Sequence, residues 1–297
     1  MILLQLVCVV IVVSYVAIRA SRAEDKALAL SRLAILAVTG WIGEDGVIRA
    51  YGFYGYSRGW SFFLDRTPLL IVLIWPAVID SAHLLARRLV PRGTPLVIAA
   101  VAGVIVLSDA SLIEPIAVHA GLWSWVRSGI FDVPPVGIVG WAYFAAAAVG
   151  TFEVIDARRA REASSARSAG RGGLASLVVL LVAPAATHAA LVGSWWLLFK
   201  WFPGDAAPWT VAVASWAVLT PVALTAWAKR AGQRVPLAEL MARAPGAVFF
   251  FVLLAASARD DGPLLVYAIA FALPYFALLA HRARLAPRSR APAAGVD

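Results

Sequence analysis

Residues 96–115 read LVIAAVAGVIVLSDASLIEP, and this stretch decides the fold. Its purely apolar portion, Leu96–Leu107, is 12 residues long, whereas a helix needs about 20 to cross a bilayer. A crossing helix must therefore carry Ser108, Asp109, Ser111 and Glu114 into the membrane with it. Similar apolar runs recur along the 297 residues, of which 62% are hydrophobic and 14% charged. Ordinary soluble domains carry about 25% charged residues. Backbone polar groups in hydrocarbon must be satisfied within their own segment, so such runs read as helices. The short alternating segments of a membrane barrel are absent. The fold class that follows is all-α, a polytopic bundle of transmembrane helices.

About nine spans are expected: Met1–Ile18, Ala27–Trp41, Pro68–Ala86, Leu96–Pro115, Val133–Phe152, Leu174–Phe199, Ala206–Ala228, Ala244–Ser257 and Pro263–Ala280. The first run lacks a basic leading region and a small-residue cleavage site, and reads as a retained span. Of the 26 lysines and arginines, twenty fall after the odd-numbered spans, Arg243 among them. Positive charge marks the cytoplasmic side, which places the N-terminus outside and the C-terminus in the cytoplasm. The net charge of +9 is thus mostly topology, with attraction to anionic lipid headgroups, and does not point to nucleic acid. The membrane domain covers residues 1–281. It divides into a leading half (residues 1–152), a solvated linker (residues 153–173) rich in Arg, Ser, Ala and Gly, and a trailing half (residues 174–281). The basic Pro/Ala-rich tail, residues 282–297, reads as disordered.

Two outward-facing stretches resemble each other. One runs from Glu44-Asp45-Gly46 through YGFYGY (51–56) and Asp65 to Pro68 and Trp75. The other runs from Glu114-Pro115 through GLWSW (121–125) and Asp132 to Pro134 and Trp141. In each, a Glu precedes a Gly by seven or eight residues, a Gly-aromatic cluster follows, and an Asp precedes a Pro. A Trp then lies seven residues beyond that Pro. Both stretches join an outgoing span to an ingoing one, which makes a parallel repeat, and duplicated halves commonly hold a site at their interface.

Ionisable residues at membrane depth are costly and are functional candidates by default. Glu44, Asp109 and Glu114 are the catalytic candidates, because burial favours a neutral carboxylic acid that can donate a proton. Five residues apart, Asp109 and Glu114 differ by about 7.5 Å of rise and about 140° in facing, so they flank a groove without pointing the same way. The bland alternative is that each caps a helix or pairs with Arg49, Arg58 or Arg127. Tyr51, Phe53, Tyr54, Tyr56, Trp60, Trp123 and Trp125 read as an interfacial aromatic belt, or as a π-rich wall for a polyene or a developing carbocation. Tyr51, Tyr54, Tyr56, Trp123 and Trp125 are the substrate-binding candidates. His188, in mid-span, calls for an interhelical hydrogen bond, and Asp80 and His83 sit where they can pair on one helix face. Asp109, Glu114 and His119 lack a metal-ligand spacing. The single cysteine, Cys8, rules out an internal disulfide and a cysteine-based metal site. Phosphate-binding Gly-rich loops, zinc-protease helices and nucleophile elbows are missing, which excludes nucleotide hydrolysis and soluble-type hydrolase chemistry.

With YGFYGY and RTPLLIVLIW in Glu44–Trp75, and DASLIEPIAVHAGLWSW and VPPVGIVGW in Asp109–Trp141, the chain resembles the membrane-bound carotenoid-biosynthesis proteins related to bisanhydrobacterioruberin hydratase and the γ-carotene hydratases. These stretches cover about a quarter of the chain, and the last four spans add no matching motif. The resemblance implies a carotenoid substrate dissolved in the bilayer and hydration of an acyclic end group. That reaction needs an acid, a base to orient water, apolar walls, and no metal or organic cofactor. Glu114 or Asp109 is the expected donor, with Glu44 positioning water. Two rivals stay open: an end-group cyclase, which must keep its pocket dry, and a non-enzymatic carotenoid or lipid carrier whose carboxylates are structural.

Overall fold

The computed structural model describes residues 1–163, 177–202, 204, 206–229 and 236–284. Among them the helices are α1 (Ile2–Arg22), α2 (Lys26–Tyr51), α3 (Leu69–Leu89), α4 (Pro95–His119), α5 (Pro135–Ala163), α6 (Val179–Leu197), α7 (Pro208–Lys229), α8 (Leu237–Met241), α9 (Ala244–Ser257) and α10 (Gly262–Arg284). Four short strands lie between them: β1 (Tyr54–Tyr56), β2 (Phe63–Leu64), β3 (Thr67–Pro68) and β4 (Trp123–Trp125). Eight helical stretches are long and apolar enough to span a membrane, α8 and α9 together making one of them. The last helix adds a shorter apolar stretch, Gly262–Ala277. The protein is an all-α polytopic membrane bundle.

Local chemistry sets the helix ends. The Asp25 carboxylate caps α2 by accepting the Leu28 N–H at 2.8 Å. Thr94 caps α4, whose first residue, Pro95, has no N–H to satisfy. α2 runs on to Tyr51, well beyond the expected end at Trp41, and so takes Glu44 and Asp45 into the helix. It stops at Gly52, whose φ of 60° glycine adopts without a side-chain clash. α5 likewise passes the expected end at Phe152 and reaches Ala163, so Glu153 and Asp156 belong to a helix and not to a linker. The rest of that linker, and the tail after Arg284, lie outside the described residues.

The core forms where α3, α4 and α5 meet, around Ile79, Ala102, Val106, Ala148 and Phe152. A Cβ on Gly103 would stand 3.1 Å from the Ala142 carbonyl oxygen, so α4 and α5 approach backbone to backbone. Small residues permit this contact where no water drives association. Leu112 and Ile116 of α4 pack against Leu254 of α9 and Leu264 and Tyr267 of α10.

A belt of ion pairs ties the helices at the basic end. Asp80 accepts hydrogen bonds from Tyr15 at 2.7 Å and Arg19 at 2.8 Å. Glu153 lies 2.5 Å from His83 and takes the Arg87 Nε–H at 2.5 Å. Asp156 joins Arg87 and Arg32, and Arg88 pairs with Glu239 at 2.9 Å. Asp80 and His83 therefore serve different partners on α1 and α5 and do not pair with each other. Arg243 also departs from expectation. It stands at the break between α8 and α9, inside the bundle, with its side chain 8% exposed.

Candidate functional site

The repeat is visible in the backbone before any side chain is considered. Gly52 and Gly121 both have positive φ, 60° and 68°, and turn the chain out of α2 and α4. Asp65 and Asp132 both sit in the left-handed region, at 57° and 64°, ahead of α3 and α5. Aspartate tolerates that conformation better than most residues. The aromatic clusters become β1 and β4, which pair antiparallel with Tyr54 opposite Trp125, Gly55 opposite Ser124 and Tyr56 opposite Trp123. Two copies related by a two-fold axis produce this register.

Each repeat builds the same carboxyl cage. Glu44 Oε2 accepts the Tyr54 hydroxyl and, at 3.1 Å, the Tyr56 hydroxyl, while Oε1 accepts the Trp75 indole N–H at 3.2 Å. Glu114 Oε2 accepts the indole N–H groups of Trp123 at 2.8 Å and Trp125 at 3.0 Å, while Oε1 accepts that of Trp141 at 2.8 Å. All six donors are neutral side chains, so neither cage is the arginine pair of the bland alternative. Arg49 instead joins Asp45 at 2.6 Å and Asp65, and Arg127 stacks over Trp195. The rings also meet across the axis: Tyr54 and Trp125 at 4.6 Å, Tyr56 and Trp123 at 5.8 Å, and Trp75 and Trp141 at 4.6 Å between centroids. Burial first, then the nearby Glu44 carboxyl, push the Tyr54 and Tyr56 phenols well above the usual tyrosine range, so both remain O–H donors.

Both glutamates face one cavity of about 510 Å³ with mostly apolar walls. Tyr54, Tyr56, Trp123 and Trp125 line it. Tyr51 does not join them. It stacks on Phe53 at 5.0 Å and hydrogen-bonds His188 Nδ1 at 3.0 Å, which is the interhelical partner His188 requires. Phe53 and Trp60 line the cavity too, and the Trp60 indole N–H closes the roof onto the Leu122 carbonyl at 3.0 Å.

Asp109 lines the same cavity but stands apart from the glutamates. Its carboxylate binds Arg243 and accepts the Tyr275 hydroxyl at 3.1 Å. Arg243 also donates to Ser81 Oγ at 2.6 Å and to the Tyr275 oxygen at 3.1 Å. At the equivalent position of the first repeat, Thr39 bonds its own helix through the Ile35 carbonyl at 2.6 Å. The ion pair therefore has no counterpart and breaks the two-fold symmetry. The partners of the caged glutamates, Trp75 and Trp141, are visible in the spacing of the repeat without being recognisable there as ligands of the glutamates. Arg243 and Tyr275 carry no local signal. His119 sits at the outer end of α4, its Nε2 at 3.2 Å from the Ser257 carbonyl.

A bundle of membrane-spanning helices around one mostly apolar cavity defines an integral membrane protein with room for an apolar molecule. The chain is a member of the carotenoid biosynthesis protein family, whose model matches residues 2–199. That match runs through α6, so the sixth span belongs to the family region even though it shows no motif. Arg243 and Tyr275 lie beyond it. No curated protein and no solved structure matches the chain.

Proposed function

We propose that this protein adds water to the terminal double bond of an acyclic carotenoid end group, in the plasma membrane of a bacterium. The observation that carries the reading is the pair of buried glutamates, Glu44 and Glu114, each held by three neutral donors and both facing one apolar cavity. Such a pair can hold a proton on one carboxyl and accept one on the other.

The difference between the two cages supports a division of roles. Glu114 is held by three indoles, which only donate, and which present π faces to a cation. Glu44 is held by one indole and two hydroxyls, and the hydroxyls both donate and accept and so connect it to water. Protonated Glu114 gives its proton to the CH carbon of the terminal double bond, the π bond breaks and a tertiary cation forms at the carbon bearing the two methyl groups. The oxygen of a water molecule bonds to that cation while Glu44 takes the water's proton. Passing this proton back to Glu114 restores the starting state, so one water is added and nothing else is consumed. The ribbon of β1 and β4 is one strand layer thick, with Gly55 and Ser124 exposed, and it is the thin barrier that water crosses to reach the cages. Asp109, neutralised by Arg243, has a positioning role and is not the donor.

Expression in a lycopene-producing bacterium, with mass analysis of the extracted pigments, tests this reading. A gain of one water that disappears in Glu114→Gln protein inserted at normal levels is the expected result. A cyclic pigment of unchanged mass would sink hydration and favour cyclisation.

A further inference from the structure

We propose that the substrate enters this cavity sideways from the bilayer core, between α8–α9 and α10, and that only one end of a long linear chain is enclosed. The polyene nature of the substrate rests on the hydratase reading above. The route rests on separate observations.

Three residues that line the cavity are also more than half exposed: Met241 at 53%, Val248 at 60% and Phe276 at 58%. They sit on α8, α9 and α10, and all are apolar, as a surface facing acyl chains must be. The outer end of the cavity is the opposite case. Trp60 and Leu122 there are 5% and 3% exposed, and Trp123 of the β1–β4 ribbon is 7% exposed. The cavity is thus roofed toward the aqueous face and open toward lipid.

The wall beside the opening lies at the periphery of the bundle. Only 11% of the Leu237–Ser257 span is buried, against 56% for Leu69–Leu89. Polar ties hold it at three levels: Arg88 to Glu239 at the basic end, Arg243 to Asp109, Ser81 and Tyr275 at the break, and His119 to the Ser257 carbonyl at the outer end. Tyr275, which holds the guanidinium, is next to Phe276 at the opening. A chain passing Met241 and Val248 would meet the Arg243 cluster first and the glutamate cages beyond it.

A volume of about 510 Å³ is that of a site for a drug-sized ligand. It takes one end group and the adjoining stretch of a polyene, and the remainder stays in the bilayer. The protein should therefore be selective for the end it encloses and indifferent to the far end.

The test follows uptake and not turnover. Full-length protein in lipid nanodiscs is mixed with vesicles carrying lycopene, and quenching of tryptophan fluorescence reports filling of the cavity. Val248→Cys protein, already folded, is treated with a bulky thiol reagent. Leu181→Cys protein, at a position 76% exposed on α6 and away from the cavity, is the control, as is wild type treated identically. At least a tenfold slower uptake in the labelled Val248→Cys protein, with both controls unchanged, is expected. Equal rates in all three would overturn the lateral route, and so would absence of uptake by wild type. Normal uptake through the opening with no change in pigment mass would leave the route standing and defeat hydration alone.

Discussion

The indole rings of Trp75 and Trp141 meet at 4.6 Å between centroids, and each gives its N–H to the glutamate of its own repeat. The contact couples the two cages at the two-fold axis. A displacement of either indole alters a hydrogen bond to one glutamate and the packing of the other cage. The consequences can be measured.

Replacing Glu114 by Gln keeps the shape but places an amide among three N–H donors and removes the acid. General acid–base groups contribute about a hundredfold or more to rate. Glu114→Gln and Glu44→Gln should each lower the yield of hydrated pigment by at least that factor, with normal membrane insertion on immunoblots. Full activity in both would remove the glutamates from the chemistry.

Gly137 leaves room for Trp125: a Cβ there would lie 2.5 Å from the indole. Gly40 does the same for Trp75, at 2.9 Å. Trp125 is held to Glu114 at one edge and packed against the tilted Tyr54 ring, so it cannot retreat freely. Gly137→Ala should cost about 1–3 kcal/mol of stability, the range for overpacking. It should also shift the tryptophan emission. An unchanged melting temperature and spectrum would show that the ring moves at no cost.

The Asp109–Arg243 pair is buried, with side-chain exposures of 15% and 8%. Removing one partner of a buried pair costs about 3–5 kcal/mol, whereas replacing both with apolar groups is often near neutral. Asp109→Leu and Arg243→Met should each lower the thermal unfolding midpoint in detergent sharply, and the double variant should recover most of the loss. Additive losses would mean that the two side chains act independently.

Tyr54 and Tyr56 have raised pKa values, so the folded protein keeps protons that an unfolded chain loses near about pH 10. Their contribution to stability is complete below that pH and falls as the pH rises above it. In an alkaline titration of the folded protein, the tyrosinate absorbance of wild type should equal that of the Tyr54→Phe/Tyr56→Phe variant. In denaturant, wild type should show the larger signal. A difference of two tyrosines in the folded state near about pH 11 would mean that the phenols are open to solvent.

Much of this protein is legible in its residues because the bilayer is a demanding solvent. Hydrocarbon forces the backbone into helices, and the exclusion of charge marks where they run, so the bundle and its basic face follow from composition and spacing alone. The repeat is legible for a related reason. Gly52, Gly121, Asp65 and Asp132 mark positions of positive φ, and a backbone requirement of that kind leaves a residue type at a fixed place. The extents of α2 and α5 are not legible, because Glu44, Asp45, Glu153 and Asp156 look like loop residues until their partners are known. Those partners come from elsewhere in the chain. Glu153 is bound by His83 and neutralised by Arg87, and Asp109 by an arginine 134 positions away, beyond the family match. Tyr51 and Tyr54 are similar residues three apart, yet one turns to His188 and the other to Glu44. Apolar surface says that a helix is buried in something, but a helix in lipid gains little hydrophobic energy from choosing one neighbour over another. Which helices meet, and hence which side chain reaches which carboxyl, is decided only by close packing and by hydrogen bonds between distant residues.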